Sequence, residues 1–163
     1  MRVNFRLIVV FAVAVAIFVA AGALAARIHE SASPTASRVA LAEQVNPIGA
    51  RGRTLGLSRV TIPPRVQIPL HHHPGTQIAY IQRGVLTYTV RRGSVNVMRG
   101  AADESPTLVR RIRAGQTGKI RAGEWIVEQP TTIHRARNDG TVAVRILLAT
   151  LFRNGSPPSL PVK

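Results

Sequence analysis

The chain has no cysteine. Disulfide bonds, thiolate metal ligands and a cysteine nucleophile are therefore excluded. Export is not, because a domain of this size needs no crosslinks. Aromatic residues make up only 4% of the 163 residues, too few for a surface that stacks successive bases. Acids are scarce as well: 7 Asp and Glu stand against 22 Lys and Arg, and the formal net charge is +15. Nearly all of that charge is arginine, the lysines being Lys119 and Lys163 alone. The basic residues are scattered, with short pairs at Arg91-Arg92 and Arg110-Arg111. No helix-turn-helix and no zinc-finger spacing accompanies them, so nucleic acid is not expected as a partner. The charge reads first as a solvated, arginine-biased surface and second as attraction to anionic lipid headgroups or an acidic small ligand.

One long apolar run is present. Met1–Arg6 carries two arginines and no acid, and Leu7–Ala26 then runs without a charge. As a helix it would be about 30 Å long, enough to cross a bilayer core. Its end, Ala23-Leu24-Ala25, has the small-x-small form of a signal-peptidase site. Residues 1–26 are expected to be an N-terminal hydrophobic helix, serving either as a signal peptide or as a transmembrane anchor. Either way the rest of the chain is expected outside the cytoplasm, as an exported (periplasmic or extracellular) domain or a membrane-anchored one facing outward. Residues 27–53 read as a linker or arm, in which Ala36–Gln44 is compatible with a short helix. His29 lies in this arm and is assigned nothing.

From Thr54 the pattern is short β-prone stretches separated by turn residues. Val66, Ile68 and Leu70 alternate with Arg65, Gln67 and Pro69, the period of a strand. Strands are also expected over Leu55–Ile62, Thr76–Gln82, Val85–Val90, Ser94–Met98, Thr107–Ile112, Thr117–Arg121, Glu124–Gln129 and Thr141–Phe152. Arg83-Gly84, Arg92-Gly93 and Asn138-Asp139-Gly140 punctuate them. Eight to ten evenly spaced strands without helices between them mean a sandwich or barrel. The domain is expected over residues 54–155, with 156–163 a loose, proline-containing tail.

His71 and His73 stand two apart at the end of an alternating strand. Residues i and i+2 of a strand share a face, so both imidazoles can approach one point while His72 turns away. Pro74-Gly75 reverses the chain, and Gln77 opens the next strand facing back. His134 follows Pro130. Neutral imidazole is a common ligand of divalent transition metals. Three imidazoles and one oxygen donor leave coordination positions open for chemistry.

These residues resemble the cupin superfamily. Its first motif, H-x-H, then an acid or amide, then Gly, is matched by His71-His72-His73-Pro74-Gly75-Thr76-Gln77 and Gly84. Its second, Gly, Pro, His and Asn, is matched by Gly123, Pro130, His134 and Asn138, with Pro130 to His134 one residue shorter than usual. The resemblance implies an all-β, cupin-type jelly-roll β-barrel. It implies one divalent transition metal, iron, manganese, zinc, nickel or copper, held by His71, His73, Gln77 and His134. The oxygen ligand is more often Glu. Gln77 carries no charge and cannot accept a proton, and Glu128, in the second motif with Glu124, is the weaker candidate for that role. Tyr80, Tyr88 and Trp125 are expected in the core, and Arg65 and Arg83 are candidates to meet an anionic ligand.

The function implied is that of a metal-binding cupin acting on a small organic molecule, as an oxygenase or isomerase. The alternatives are a non-catalytic metal- or ligand-binding barrel at the membrane surface and a structural barrel. The expected partners are a small-molecule ligand, with an anionic one among the readings, the membrane through residues 7–26 if uncleaved, and a second copy in a homodimer.

Overall fold

The computed structural model describes residues 34–162. The expected N-terminal hydrophobic helix, as signal peptide or anchor, lies outside these residues. No helix among the described residues is long and apolar enough to cross a membrane.

The described chain is all-β, with twelve strands. They are β1 (Ser37–Val45), β2 (Arg53–Ile62), β3 (Gln67–His72), β4 (Gly75–Arg83), β5 (Val85–Arg92) and β6 (Ser94–Arg99). The others are β7 (Thr107–Arg113), β8 (Thr117–Arg121), β9 (Glu124–Glu128), β10 (Ile133–Arg137), β11 (Val144–Arg153) and β12 (Leu160–Pro161). A seven-stranded sheet runs β1-β2-β11-β4-β9-β6-β7, and a five-stranded sheet runs β12-β3-β10-β5-β8. All pairings are antiparallel.

Strand parity builds the interior. Along β11, Val144, Ile146, Leu148, Thr150 and Phe152 are buried while their neighbours face outward. Ile62, Ile81, Leu86, Val97, Ile120 and Ile126 complete a single core between the two sheets. Each fully buried aliphatic side chain contributes roughly 1.5–3 kcal/mol of transfer free energy. Glycines permit two close approaches, one at each end of β4. Gly84 turns β4 into β5 with φ +82°, and a Cβ on Gly75 would collide with the Leu151 carbonyl.

Three expectations are corrected. Ala36–Gln44 is not a helix: Ser37–Val45 is strand β1, paired with β2. Its residues are exposed, so no helical face is buried, and the backbone pairs with the free edge of β2 instead. The tail is not loose throughout, since β12 pairs with His72 and His71 of β3. A proline can stand there because β12 is an edge strand. Tyr80 is not in the core. Odd positions of β4 face inward and even ones outward, which leaves Tyr80 at 42% exposure. Strand β10 was hidden in the sequence because only His134 and Ala136 of its five residues face inward.

Candidate metal centre

The fold delivers three histidines to one place from two strands and a turn. His71 is the last but one residue of β3, His73 begins the turn into β4, and His134 lies on β10 directly opposite His71. All three are buried, whereas His72 is half-buried on the other side of the strand. Ring centroids are 4.3 Å apart for His71–His134, 5.0 Å for His71–His73 and 5.2 Å for His73–His134. One ligand atom from each lies within 4.8 Å of the others.

Two of the rings have their tautomer set by the backbone. His71 Nδ1–H donates to the Pro69 carbonyl at 2.7 Å, and His73 Nδ1–H donates to the Pro158 carbonyl at 2.8 Å. Each ring therefore presents a bare Nε2, as a metal ligand must. The Pro158 contact comes from the C-terminal tail. Phe152 stacks on His73 and Tyr88 on His134, with centroids 5.7 and 4.7 Å apart. Burial, followed by the charge of His134, lowers the His71 pKa to about 4. Burial also lowers His73, against the raising influence of Glu128 and the Pro158 hydrogen bond. Both rings are neutral at pH 7.

Gln77 stands beside them, buried on β4 and registered directly against Glu128 on β9. Its Nε2 donates to His73 Nε2 at 2.9 Å and to Glu128 Oε2. Its Oε1 is buried without a hydrogen-bond partner, as is His134 Nδ1. Buried polar atoms are seldom left unpartnered. An orphaned amide oxygen next to bare imidazole nitrogens fits a cation.

Glu128 is the one acid in this cluster among the described residues. Its Oε1 accepts from the Tyr88 hydroxyl at 2.6 Å and lies 3.1 Å from His134 Nε2, and its Oε2 lies 3.7 Å from His73 Nε2. Burial raises its pKa, but the positive charge that His134 and His73 can carry, with the Gln77 and Tyr88 hydrogen bonds, offsets this and leaves it below the ordinary value. Burial and the Glu128 charge push the Tyr88 phenol up.

These groups border a cavity of about 230 Å³ with aliphatic walls, Val60, Ile68, Leu86, Ile146 and Leu148 among them. Ser37 and Arg38 of β1, and Pro158 and Ser159 of the tail, also line it. Sequence reasoning missed these four because they lie outside the segment that carries the barrel pattern. Arg65 and Arg83 do not line the cavity. Arg65 sits in the turn after Pro64, and Arg83 is an exposed residue at the end of β4. Trp125 faces outward, half-buried, and donates Nε1–H to the Gly100 carbonyl at 3.0 Å. Asn138 is structural: its Nδ2 donates to the Ile62 and Val142 carbonyls at 2.9 and 2.8 Å, tying the second motif to β2.

No protein-family model and no curated protein matches the sequence. Solved structures do. A cupin 2 domain-containing protein from Halorhodospira halophila is 14% identical, with 82% of this chain and 76% of that one covered and a TM-score of 0.50. A cupin superfamily protein from Desulfitobacterium hafniense is 13% identical over 76% and 83% of the two chains, with a TM-score of 0.49. The polyketide cyclase RemF from Streptomyces resistomycificus is 16% identical over 78% and 71%, also at 0.49. At such identities the likeness speaks for the fold alone, and the fold of the described residues is cupin-like.

Proposed function

We propose that the chain is a metal-dependent enzyme acting on a small organic molecule, with His71, His73 and His134 holding one divalent transition ion and Gln77 beside them. The observation that carries this is the convergence of three buried imidazoles at the polar side of an otherwise aliphatic cavity. Pockets with apolar walls and a few convergent polar groups are the usual form of small-molecule sites. Lewis acidity toward a chelated oxygen, or redox chemistry with dioxygen, is what a bound transition ion would supply here. Oxygenation or isomerisation of the substrate is the reaction class. At 230 Å³ the cavity falls below the roughly 300–1,000 Å³ of drug-sized sites, so the substrate is small.

The remaining residues bind and orient. The aliphatic walls exclude water. Arg38 brings a guanidinium to the cavity from edge strand β1, and no described residue forms an ion pair with it. An anionic group on the ligand would meet it there. The apolar run Leu7–Ala26 supports a place outside the cytoplasm, exported or anchored.

A non-catalytic metal- or ligand-binding barrel is the second reading. It draws on Glu128, the only carboxylate among the described cavity residues, which is already engaged by Tyr88 and Gln77.

Elemental analysis decides first. The full-length protein, purified without a polyhistidine tag, is compared with a His71→Ala/His134→Ala double variant. About one equivalent of a single transition metal, lost in the variant, is expected. Oxygen uptake or isomer formation across diketones, flavonoids and sugars then supports the enzyme. Bound metal with no turnover supports the binding barrel. No metal after reconstitution eliminates the metal-dependent reading.

A further inference from the structure

Three neutral imidazoles and a neutral amide would leave a divalent ion with its whole charge inside a cavity of aliphatic walls. Burying such a charge is costly unless an anion lies against it. The sequence has an amide at position 77, where an acid would serve, but the structure places a carboxylate directly across the strand pair. Gln77 and Glu128 are registered partners on β4 and β9. Glu128 is buried, and no Arg or Lys pairs with it among the described residues. Its two oxygens lie 3.1 Å from His134 Nε2 and 3.7 Å from His73 Nε2. Two neighbouring ligands of one ion, each bonded at ~2.1 Å, stand roughly 3.0–3.4 Å apart. The distance to His134 falls in that range and the distance to His73 lies just beyond it, so a small shift of the carboxylate brings it to a position that a ligand of the same ion would take.

We propose that Glu128 supplies the anionic ligand of this centre and that Gln77 is a positioning residue, holding Glu128 through its Nε2–H. The assignment rests on the metal reading above and refines it. The charge stands on β9, across from the amide on β4 and beside the three histidines. Tyr88 shares the positioning by donating to Oε1. With both oxygens held by donors, the carboxylate is kept ionised and aimed into the cluster. The rival is a carboxylate that only ties β9 to β5 and β4 through hydrogen bonds.

The two roles separate in one substitution. Full-length wild type, Glu128→Gln and Gln77→Ala are compared in two measurements: zinc affinity against a chelating dye, and the visible spectrum with cobalt(II). Glu128→Gln is expected to weaken zinc binding at least tenfold and to alter the cobalt(II) bands. Gln77→Ala is expected to weaken zinc binding less than Glu128→Gln does and to keep the shape of the bands. A Glu128→Gln protein with wild-type zinc affinity and cobalt(II) spectrum overturns the assignment and leaves the histidine site standing. So does a Gln77→Ala protein that loses the metal more completely. Wild type that binds neither ion overturns the metal reading itself, and the assignment with it. Should Glu128→Gln not fold, Glu128→Asp keeps the charge but draws the oxygens back: changed cobalt(II) bands are then expected, and unchanged ones overturn the assignment.

Discussion

Strand β9 carries two buried carboxylates on the same face, Glu124 and Glu128, at its opposite ends. Four residues of strand separate them by about 13 Å, and their surroundings differ in kind. Glu124 Oε1 meets Arg99 Nη2 at 2.7 Å, and its Oε2 meets Arg110 Nη1 at 3.3 Å and the Arg121 backbone N–H at 2.8 Å. Burial raises its pKa, but the Arg121 N–H and the two guanidinium groups bring it below the ordinary value. That charge is balanced inside the fold. Glu128 is held by a phenol and an amide and faces the rings of His73 and His134. It has hydrogen bonds but no fixed cation. A buried acid with a permanent counter-charge closes a structure, whereas one without it is suited to an ion from outside.

The contrast can be broken from either end. The largest effect is expected from His71→Ala/His134→Ala, which should abolish stoichiometric metal binding while leaving the Glu124 network untouched. Elemental analysis reads the loss and circular dichroism the retained fold. Next is pH. Without metal, stability should fall as pH drops from 6.5 to about 4, because the unfolded chain takes up a proton at His71 that the folded one refuses. The loss from this residue is on the order of 3 kcal/mol at pH 4, levelling below. Glu124 and Glu128, both with lowered folded pKa values, add to the loss only as pH falls through the carboxylate range. Urea titration across pH 3–8 measures the profile.

Glu124→Gln should cost about 2 kcal/mol in urea denaturation, from weakened charge-assisted hydrogen bonds to partners that remain partly exposed. Its zinc affinity should stay at the wild-type value, the reverse of what Glu128→Gln is expected to show. Removing residues 156–163 deprives His73 Nδ1 of the Pro158 carbonyl. A loss of outer contacts of this sort lowers metal affinity on the order of tenfold, which dye competition would detect. The smallest change is expected from Arg38→Gln. Metal content should not move, while binding of benzoate relative to benzamide to metal-free protein, read by calorimetry, should drop severalfold.

Much of the site was legible because its signals are local. The parity of His71 and His73 and the turn at Pro74-Gly75 need only strand geometry, and the order of the two motifs placed His134 with them. Glu128 was readable only as a weak candidate, since its register against Gln77 is set by strands about fifty residues apart. Arg38 and Pro158 left no signal. Their contribution depends on β1 and β12 joining the sheet edges, and a fully exposed strand has no apolar alternation to announce it. Tyr80 was misread for a related reason: an aromatic in a strand is as readily outward as inward until one neighbour's facing is known.

The alternating apolar residues, the glycine turns and the histidine spacing determined by themselves an all-β chain in which His71 and His73 can meet, and the resemblance in motif order added His134. Which carboxylate stands with them, which arginine reaches the cavity and which carbonyl holds His73 were decided only by tertiary structure. Those are pairings between distant strands, and their energies come from burial and from charge compensation in a low-dielectric interior, neither of which any short stretch of sequence contains.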